Sequence, residues 1–151
     1  GSNLTGYSFL QEENSRIKVL EYGVIKTKPK YTFPQKLAYI YASINDLLDI
    51  YHPSTMAIET AFVAKYPKAA LALGHTRGIL LLAAQIKGIQ IFEYSPRSIK
   101  RTVTGLGKAT KYQVASMVQT RLFLKNIPTP SDAADALAVA YCHLGKRSLL
   151  L

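Results

Sequence analysis

The order of strand-like and helix-like segments is the feature that most limits the fold of this chain. Residues 5–11 and 16–26 are rich in Tyr, Phe, Val and Ile around a polar turn, which predicts a β-hairpin. Next come a helix over 34–51, a strand over 56–59, a helix over 67–87, a strand over 90–94, and helices from 95, over 110–124 and over 131–145. This order predicts an α/β domain, with a mixed β-sheet flanked by helices.

Two of the predicted helices differ in how their apolar residues are spread. In the segment 34–51 the apolar residues recur at helical spacing and predict one buried face. They are Leu37, Ile40, Tyr41, Ile44, Leu47 and Leu48. The segment 67–87 is apolar around most of its circumference, which predicts burial against more than one surface and an interface between two copies of the chain.

Composition restricts the class of protein. With 151 residues, 48% of them hydrophobic, the chain is long enough for one domain with a buried core. The longest plain apolar run, residues 79–84, is too short to span a bilayer, so no membrane association is expected. Cys142 is the only cysteine, which excludes an internal disulfide and a cysteine-based zinc site. A reducing cytoplasm fits this composition.

Charge is distributed unevenly along the chain. The formal net charge is +10, and between Thr60 and Ser131 the only acidic residue is Glu93. The basic residues of that stretch are Lys65, Lys68, Arg77, Lys87, Arg97, Lys100, Arg101, Lys108, Lys111, Arg121 and Lys125. A basic stretch bordered by carboxylates predicts a protein that binds a polyanion such as nucleic acid. The alternative is a generally basic soluble protein.

Carboxylates stand at the borders of the basic stretch. Asp132 and Asp135 lie three residues apart behind the predicted N-cap Ser131, so a helix places both on one face. Glu59 ends a predicted strand. Oxygen ligands of this kind suit Mg²⁺, although acidic residues in a first helical turn are also favoured by the helix dipole alone. A metal-dependent nuclease needs such carboxylates to converge from different elements, around two ions about 4 Å apart.

Several short motifs resemble one known family, in order and along nearly the whole chain. They are Thr5-Gly-Tyr, Ala57-Ile-Glu59, Phe62-Val-Ala-Lys65, Ala70-Leu-Ala-Leu-Gly74, Arg77-Gly78, Phe92-Glu-Tyr94, Ile99-Lys100, Thr102-Val-Thr-Gly105, Gly107 with Lys111, and Asp132-Ala-Ala-Asp135-Ala-Leu-Ala. This pattern is similar to RuvC, the family of bacterial resolvases that cut Holliday junctions and have an RNase H-like fold.

The resemblance implies roles for individual residues. It implies that Glu59, Asp132 and Asp135 are catalytic, metal-binding carboxylates. It implies that the DNA-binding residues are Phe62, Lys65, Lys100 and Lys111. Lysines are suited to contact phosphates and an exposed aromatic ring can stack on a base, but Phe62 could instead be a core residue and the lysines solvated helix charges.

The implied activity is Mg²⁺-dependent hydrolysis of phosphodiesters in two strands of a four-way DNA junction, in recombination and repair. Two Mg²⁺ ions per active site are expected, with Mn²⁺ as a substitute. The resemblance further implies a cytoplasmic homodimer that works beside a branch-migration motor. Two alternatives remain open: another RNase H-like nuclease of phage or organellar origin, and a module that binds branched DNA without cleaving it.

One departure from the family pattern concerns the first residues. The family's first strand ends in Asp-Pro-Gly and supplies a fourth carboxylate, whereas this chain begins with Gly1-Ser2-Asn3. Gly1 and Ser2 could be foreign residues, but in either case no residue of this chain can be assigned as the first carboxylate. We therefore expect an N-terminally incomplete nuclease domain over 1–151, inactive and less stable without that central strand. The three histidines share no metal-ligand spacing and are expected to be structural or exposed.

Overall fold

The computed structural model describes residues 1–60 and 65–148 and contains the predicted strands and helices. They are β1 (Leu4–Glu13), β2 (Arg16–Lys26), α1 (Phe33–Tyr51), β3 (Thr55–Glu59), α2 (Pro67–Ile86), β4 (Gln90–Tyr94), α3 (Pro96–Thr104), α4 (Lys111–Arg121) and α5 (Ser131–Ser148). The predicted end of α4 at residue 124 is too late. Phe123, with φ +54°, lies in the left-handed region, which a regular helix does not continue through.

The strands form two ladders, and the α/β class is confirmed. β1 pairs with β2, and β3 pairs with β4. The β1–β2 connection is the pair Asn14 and Ser15, with φ of +53° and +63°, as in the primed turns that match strand twist. Among the described residues no strand joins the two ladders, so the expected single mixed sheet is present as two two-stranded parts.

The chain divides into two compact units, of which the first contains α1 and α2. This unit comprises Gly1–Thr5, Ile25–Met56 and the described part of Ala61–Ile91. A capping box begins α1, since Thr32 accepts a hydrogen bond from the Gln35 amide and Gln35 bonds back to the Thr32 amide. The buried residues of α1 are Ile40, Ile44 and Leu48, as the helical spacing predicted.

Helix α2 is less buried than its composition suggested. Only Thr76, Ala83 and Ala84 of α2 are buried, so the expected burial against several surfaces is not met within one copy of the described chain. By length and composition alone α2, with a mean hydropathy of 1.4, could also cross a membrane, although it carries Lys68 and Arg77. Its exposed large apolar side chains are Leu71, Leu73, Leu82 and Ile86.

The second unit contains α3, α4 and α5, packed on one another. It comprises Gly6–Val24, Ala57–Thr60 and Phe92–Leu151, described to residue 148. Its core is formed by Ile99, Val103, Ala109, Val114, Val118, Leu122, Leu137, Ala138 and Cys142. Cys142 is fully buried, as expected of a small core residue. Because the three helices share this core, the first turns of α4 and α5 are held in fixed positions.

Candidate active site

Four charged side chains predicted from the sequence line one cavity of the second unit. The cavity has a volume of about 220 Å³. Its charged lining residues come from the end of β3, from α3, α4 and α5, and they are Glu59, Lys100, Lys111 and Asp135. Its remaining walls are Pro96, Ile99, Val114, Ala138 and Val139. Two carboxylates and two lysines therefore converge from four elements on an apolar floor.

Glu59 lies at the exposed end of β3, where it is held by the neighbouring strand. The amide of Thr60 donates a hydrogen bond to the carbonyl oxygen of Tyr94, at 2.8 Å, which fixes the end of β3 against β4. Partial burial and the negative charge of Asp135 raise the pKa of Glu59, and the ammonium groups of Lys111 and Lys100 partly oppose that rise. A bound cation would relieve the repulsion between the two carboxylates.

Lys111 occupies an electrostatically unfavourable position. It is the first residue of α4, directly after the N-cap Thr110, where the helix dipole disfavours a positive charge. Its Nζ lies 3.4 Å from Oδ2 of Asp135, in a pair whose side chains are 75% and 48% exposed. Exposed pairs contribute about 0–1 kcal/mol, so this contact leaves the lysine available to an anion.

Asp132 is the second residue of α5 and is not a lining residue of the cavity. Its backbone carbonyl oxygen lies against β1, so close that a Cβ on Gly6 would be 1.9 Å from it. One turn further, the Ser8 hydroxyl donates a hydrogen bond to the Ala136 carbonyl at 2.9 Å. Glycine at position 6 therefore allows β1 to pack flush against the turn that carries Asp132 and Asp135.

The donor set of the cavity fits a hard divalent cation through Glu59 and Asp135. Within residues 1–60 and 65–148, no three His, Cys, Asp or Glu side chains are grouped closely enough to hold a metal ion. Carboxylate oxygens are the ligands that Mg²⁺ prefers, with water completing its coordination. Two carboxylates account for one such ion more readily than for two.

Of the two further residues predicted to contact DNA, only Lys65 is among the described residues. Lys65 is exposed and precedes Tyr66, the N-cap of α2, in the first compact unit. Phe62 falls in the segment 61–64, outside the described residues. The glycine at position 6 belongs to a family-like motif, but its contact with α5 was not predicted; an isolated glycine within a strand pattern is the signal that could have indicated it.

An α/β fold in which carboxylates and lysines share one cavity is an arrangement suited to a metal-dependent enzyme that cleaves phosphodiesters. The family described as "Crossover junction endodeoxyribonuclease RuvC" matches residues 1–143 of the chain. Relatives of that name from Finegoldia magna and Desulforamulus reducens are 42% and 43% identical, over 95% of this chain and 88% of theirs. The chain belongs to the RuvC family and is an endodeoxyribonuclease of crossover junctions.

Solved structures agree with this assignment. The structure titled "Thermus thermophilus RuvC structure" matches with a TM-score of 0.89 and 30% identity, over 99% of this chain and 92% of that one. A second, titled "T. thermophilus RuvC in complex with Holliday junction substrate", matches with a TM-score of 0.89, 28% identity and coverage of 99% and 91%. The RNase H-like fold expected from the resemblance is thereby confirmed.

Proposed function

We propose that the cavity formed by Glu59, Asp135, Lys100 and Lys111 is the centre at which the chain hydrolyses junction phosphodiesters with Mg²⁺. The observation that carries the proposal is the convergence of these side chains on one cavity. We also propose Asp132, which lies in the first turn of α5 three residues before Asp135, as the third carboxylate of the site. Phe62 and Lys65 remain proposed DNA contacts from the family-like motif.

Each proposed residue has a separate task. Mg²⁺, when bound, would supply Lewis acidity for the attack of water on the phosphodiester. Glu59 and Asp135 would hold that ion, which would require both carboxylates to be ionised. Lys100 and Lys111 offset the charge of the phosphate that is cut, as lysine ammonium groups do in phosphate sites. Ile99 and Val114 form part of the apolar wall beside these charged groups.

The metal requirement is tested with a synthetic four-way junction and a linear duplex of the same sequence. We expect Mg²⁺ and Mn²⁺ to support cutting of the junction, and Ca²⁺ to support binding without cutting. Removal of the metal by a chelator should stop cleavage and leave the affinity for the junction unchanged. Equal cutting rates with and without a chelator would overturn the proposed role of the carboxylates.

Replacement of Lys111 or Lys100 by Ala should weaken junction binding and reduce its dependence on salt. The slope of log affinity against log salt should fall by about one unit for each phosphate that the variant no longer neutralises. Lys18→Ala, an exposed lysine of β2 outside the cavity lining, serves as the control. Affinity is measured by fluorescence anisotropy in Ca²⁺. Unchanged slopes in both variants would indicate solvated helix charges instead.

A homodimer is proposed because α2 exposes a row of apolar side chains in a single copy. Leu71 is 65% exposed and Leu82 is 51% exposed. An exposed apolar surface of this kind usually marks an interface. A second copy is the partner best suited to it, because two symmetric sites match two strands of a four-way junction. We further propose that residues 1–151 act as one cytoplasmic nuclease domain beside a branch-migration motor.

Light scattering at micromolar concentration should give twice the chain mass of 16.7 kDa. Leu71→Asp or Leu82→Asp should shift the mass to that of one chain, since a buried charge without a partner opposes association. Leu106→Asp, at a residue that is 61% exposed in the second unit, should leave the dimer intact. A single-chain mass for the unmodified protein would contradict the proposal, and recovery of the protein with lipid vesicles would favour membrane contact by α2.

A further inference from the structure

His143 and Tyr94 form a buried polar contact that the cavity itself does not include. The Nδ1 atom of His143 lies 2.6 Å from the hydroxyl of Tyr94. His143 is only 6% exposed. Its ring also packs against Phe92, with centroids 4.7 Å apart. One histidine of α5 is thus held by two aromatic residues of β4.

Tyr94 connects this histidine to the strand that carries Glu59. The backbone carbonyl of Tyr94 accepts a hydrogen bond from the amide of Thr60, the residue after Glu59. Its side chain reaches His143. One residue therefore holds the end of β3 through its backbone and α5 through its hydroxyl.

His143 and Asp135 lie on the same helix, α5, so the position of one depends on the position of the other. The helix is continuous from Ser131 to Ser148, so His143 and Asp135 are separated by eight residues of one helix. At 1.5 Å per residue this is about 12 Å. A helix of this length behaves as a rigid rod, and a shift at His143 moves the carboxylate of Asp135 as well.

The same turn of α5 is also fixed against α3. The Cys142 Sγ lies 3.5 Å from the Thr102 hydroxyl. A Cβ on Gly145 would lie 3.2 Å from the Thr102 methyl carbon. Because α3 carries Lys100, this turn of α5 is packed against one element that brings a charged group to the cavity, in addition to its contacts with β4.

We propose that His143 and Tyr94 are positioning residues whose hydrogen bond sets the spacing between Glu59 and Asp135, and with it the affinity of the cavity for its divalent cation. The inference rests on the proposed function of that cavity. Neither side chain lines the cavity, so neither touches the reacting atoms. Small displacements matter at such a site, since about 1 Å of misplacement can cost about 100-fold in rate.

The protonation states favour this contact near neutral pH. Burial, together with the positive charge of Arg147, lowers the pKa of His143, so the imidazole is neutral and one ring nitrogen can accept a hydrogen bond. Burial raises the pKa of Tyr94, which keeps the phenol protonated as the donor. A hydrogen bond between two neutral groups of fixed geometry is suited to holding α5 against β4.

The test compares Tyr94→Phe and His143→Leu with a core variant of similar melting temperature. Val118→Ala, in the fully buried part of α4, is the matched control. Three quantities are measured: Mn²⁺ affinity by calorimetry without DNA, the Mg²⁺ concentration that gives half-maximal cleavage, and junction affinity in Ca²⁺. His143→Asn, which keeps an acceptor near the position of Nδ1, tests for rescue.

We expect Tyr94→Phe and His143→Leu to weaken Mn²⁺ binding and raise the half-maximal Mg²⁺ concentration by about tenfold, while junction affinity stays within about twofold. His143→Asn should recover part of the metal affinity, and Val118→Ala should change neither metal measurement. Equal metal affinities for Tyr94→Phe and Val118→Ala would overturn the inference. If the unmodified chain and Asp135→Asn bind Mn²⁺ equally, the cavity is not the metal site. That result would overturn the proposed function itself and not only the role of His143 and Tyr94.

Discussion

Asp135→Asn and Glu59→Gln should each reduce the rate of junction cleavage by at least about 100-fold and leave junction affinity within about twofold. Loss of one preorganised electrostatic group at a reacting centre typically costs about 100- to 1,000-fold in rate. Binding should survive because contacts with phosphates, made by other residues, supply most of the affinity. Single-turnover cleavage of a labelled junction in Mg²⁺ measures the first effect, and anisotropy in Ca²⁺ measures the second.

Glu12→Gln is the matched control for these variants. Glu12 is an exposed carboxylate near the end of β1, and it is not part of the cavity lining. Its replacement removes the same charge and should leave the cleavage rate unchanged. A normal rate for Asp135→Asn with Mg²⁺ would contradict the assignment of that residue as a metal ligand. Asp132→Asn extends the series, and a loss of similar size would assign the third carboxylate to the site.

Gly6→Ala should destabilise the protein and nearly abolish cleavage, although Gly6 carries no reactive group. The added Cβ would lie 1.9 Å from the carbonyl oxygen of Asp132, which is backbone and cannot rotate away. Either β1 or the first turn of α5 must move, and overpacking of this kind costs about 1–3 kcal/mol. Movement of α5 displaces Asp132 and Asp135 together, so the rate should fall by about 100-fold or more.

Thermal melting and single-turnover cleavage test the Gly6 prediction together. Gly74→Ala in α2 is the control, because a Cβ at that position meets nothing within 4 Å. Alanine is favoured over glycine inside a helix by about 0.5–1 kcal/mol, so this variant should melt at the same or a higher temperature. If Gly6→Ala melts and cleaves like the unmodified chain, the close contact between β1 and α5 does not control the site.

Local sequence patterns were sufficient for most of the secondary structure. The helical spacing in α1 correctly predicted its buried face, and the helix expected from residue 95 is present as α3, with Ser95 as its N-cap. These features depend on neighbours within one or two turns of the chain. Helix α2 is largely exposed in one copy, because apolar composition does not say whether the surface that covers a helix belongs to the same copy.

Residues of the candidate site could be predicted from the sequence where their side-chain chemistry suggests a role. They could not be predicted where their position depends on tertiary packing. Glu59 is a carboxylate at the end of a strand, and Asp135 is a carboxylate near the start of a helix; both line the cavity. Asp132 has the same signal and is not among the lining residues, because its position depends on how α5 meets β1. Tyr94 and His143 are 49 residues apart in sequence, so no local sequence pattern predicts their contact.

The central claim is that Glu59 and Asp135 together hold the divalent cation used for cleavage. The most direct measurement is the anomalous scattering of Mn²⁺ in crystals of this chain with an uncleaved junction. We predict a Mn²⁺ peak about 2.0–2.4 Å from carboxylate oxygens of both residues, the range of hard-cation to oxygen bonds, and no such peak in Asp135→Asn. A well-occupied Mn²⁺ peak that contacts neither carboxylate, in a protein that cleaves the junction, would contradict the account.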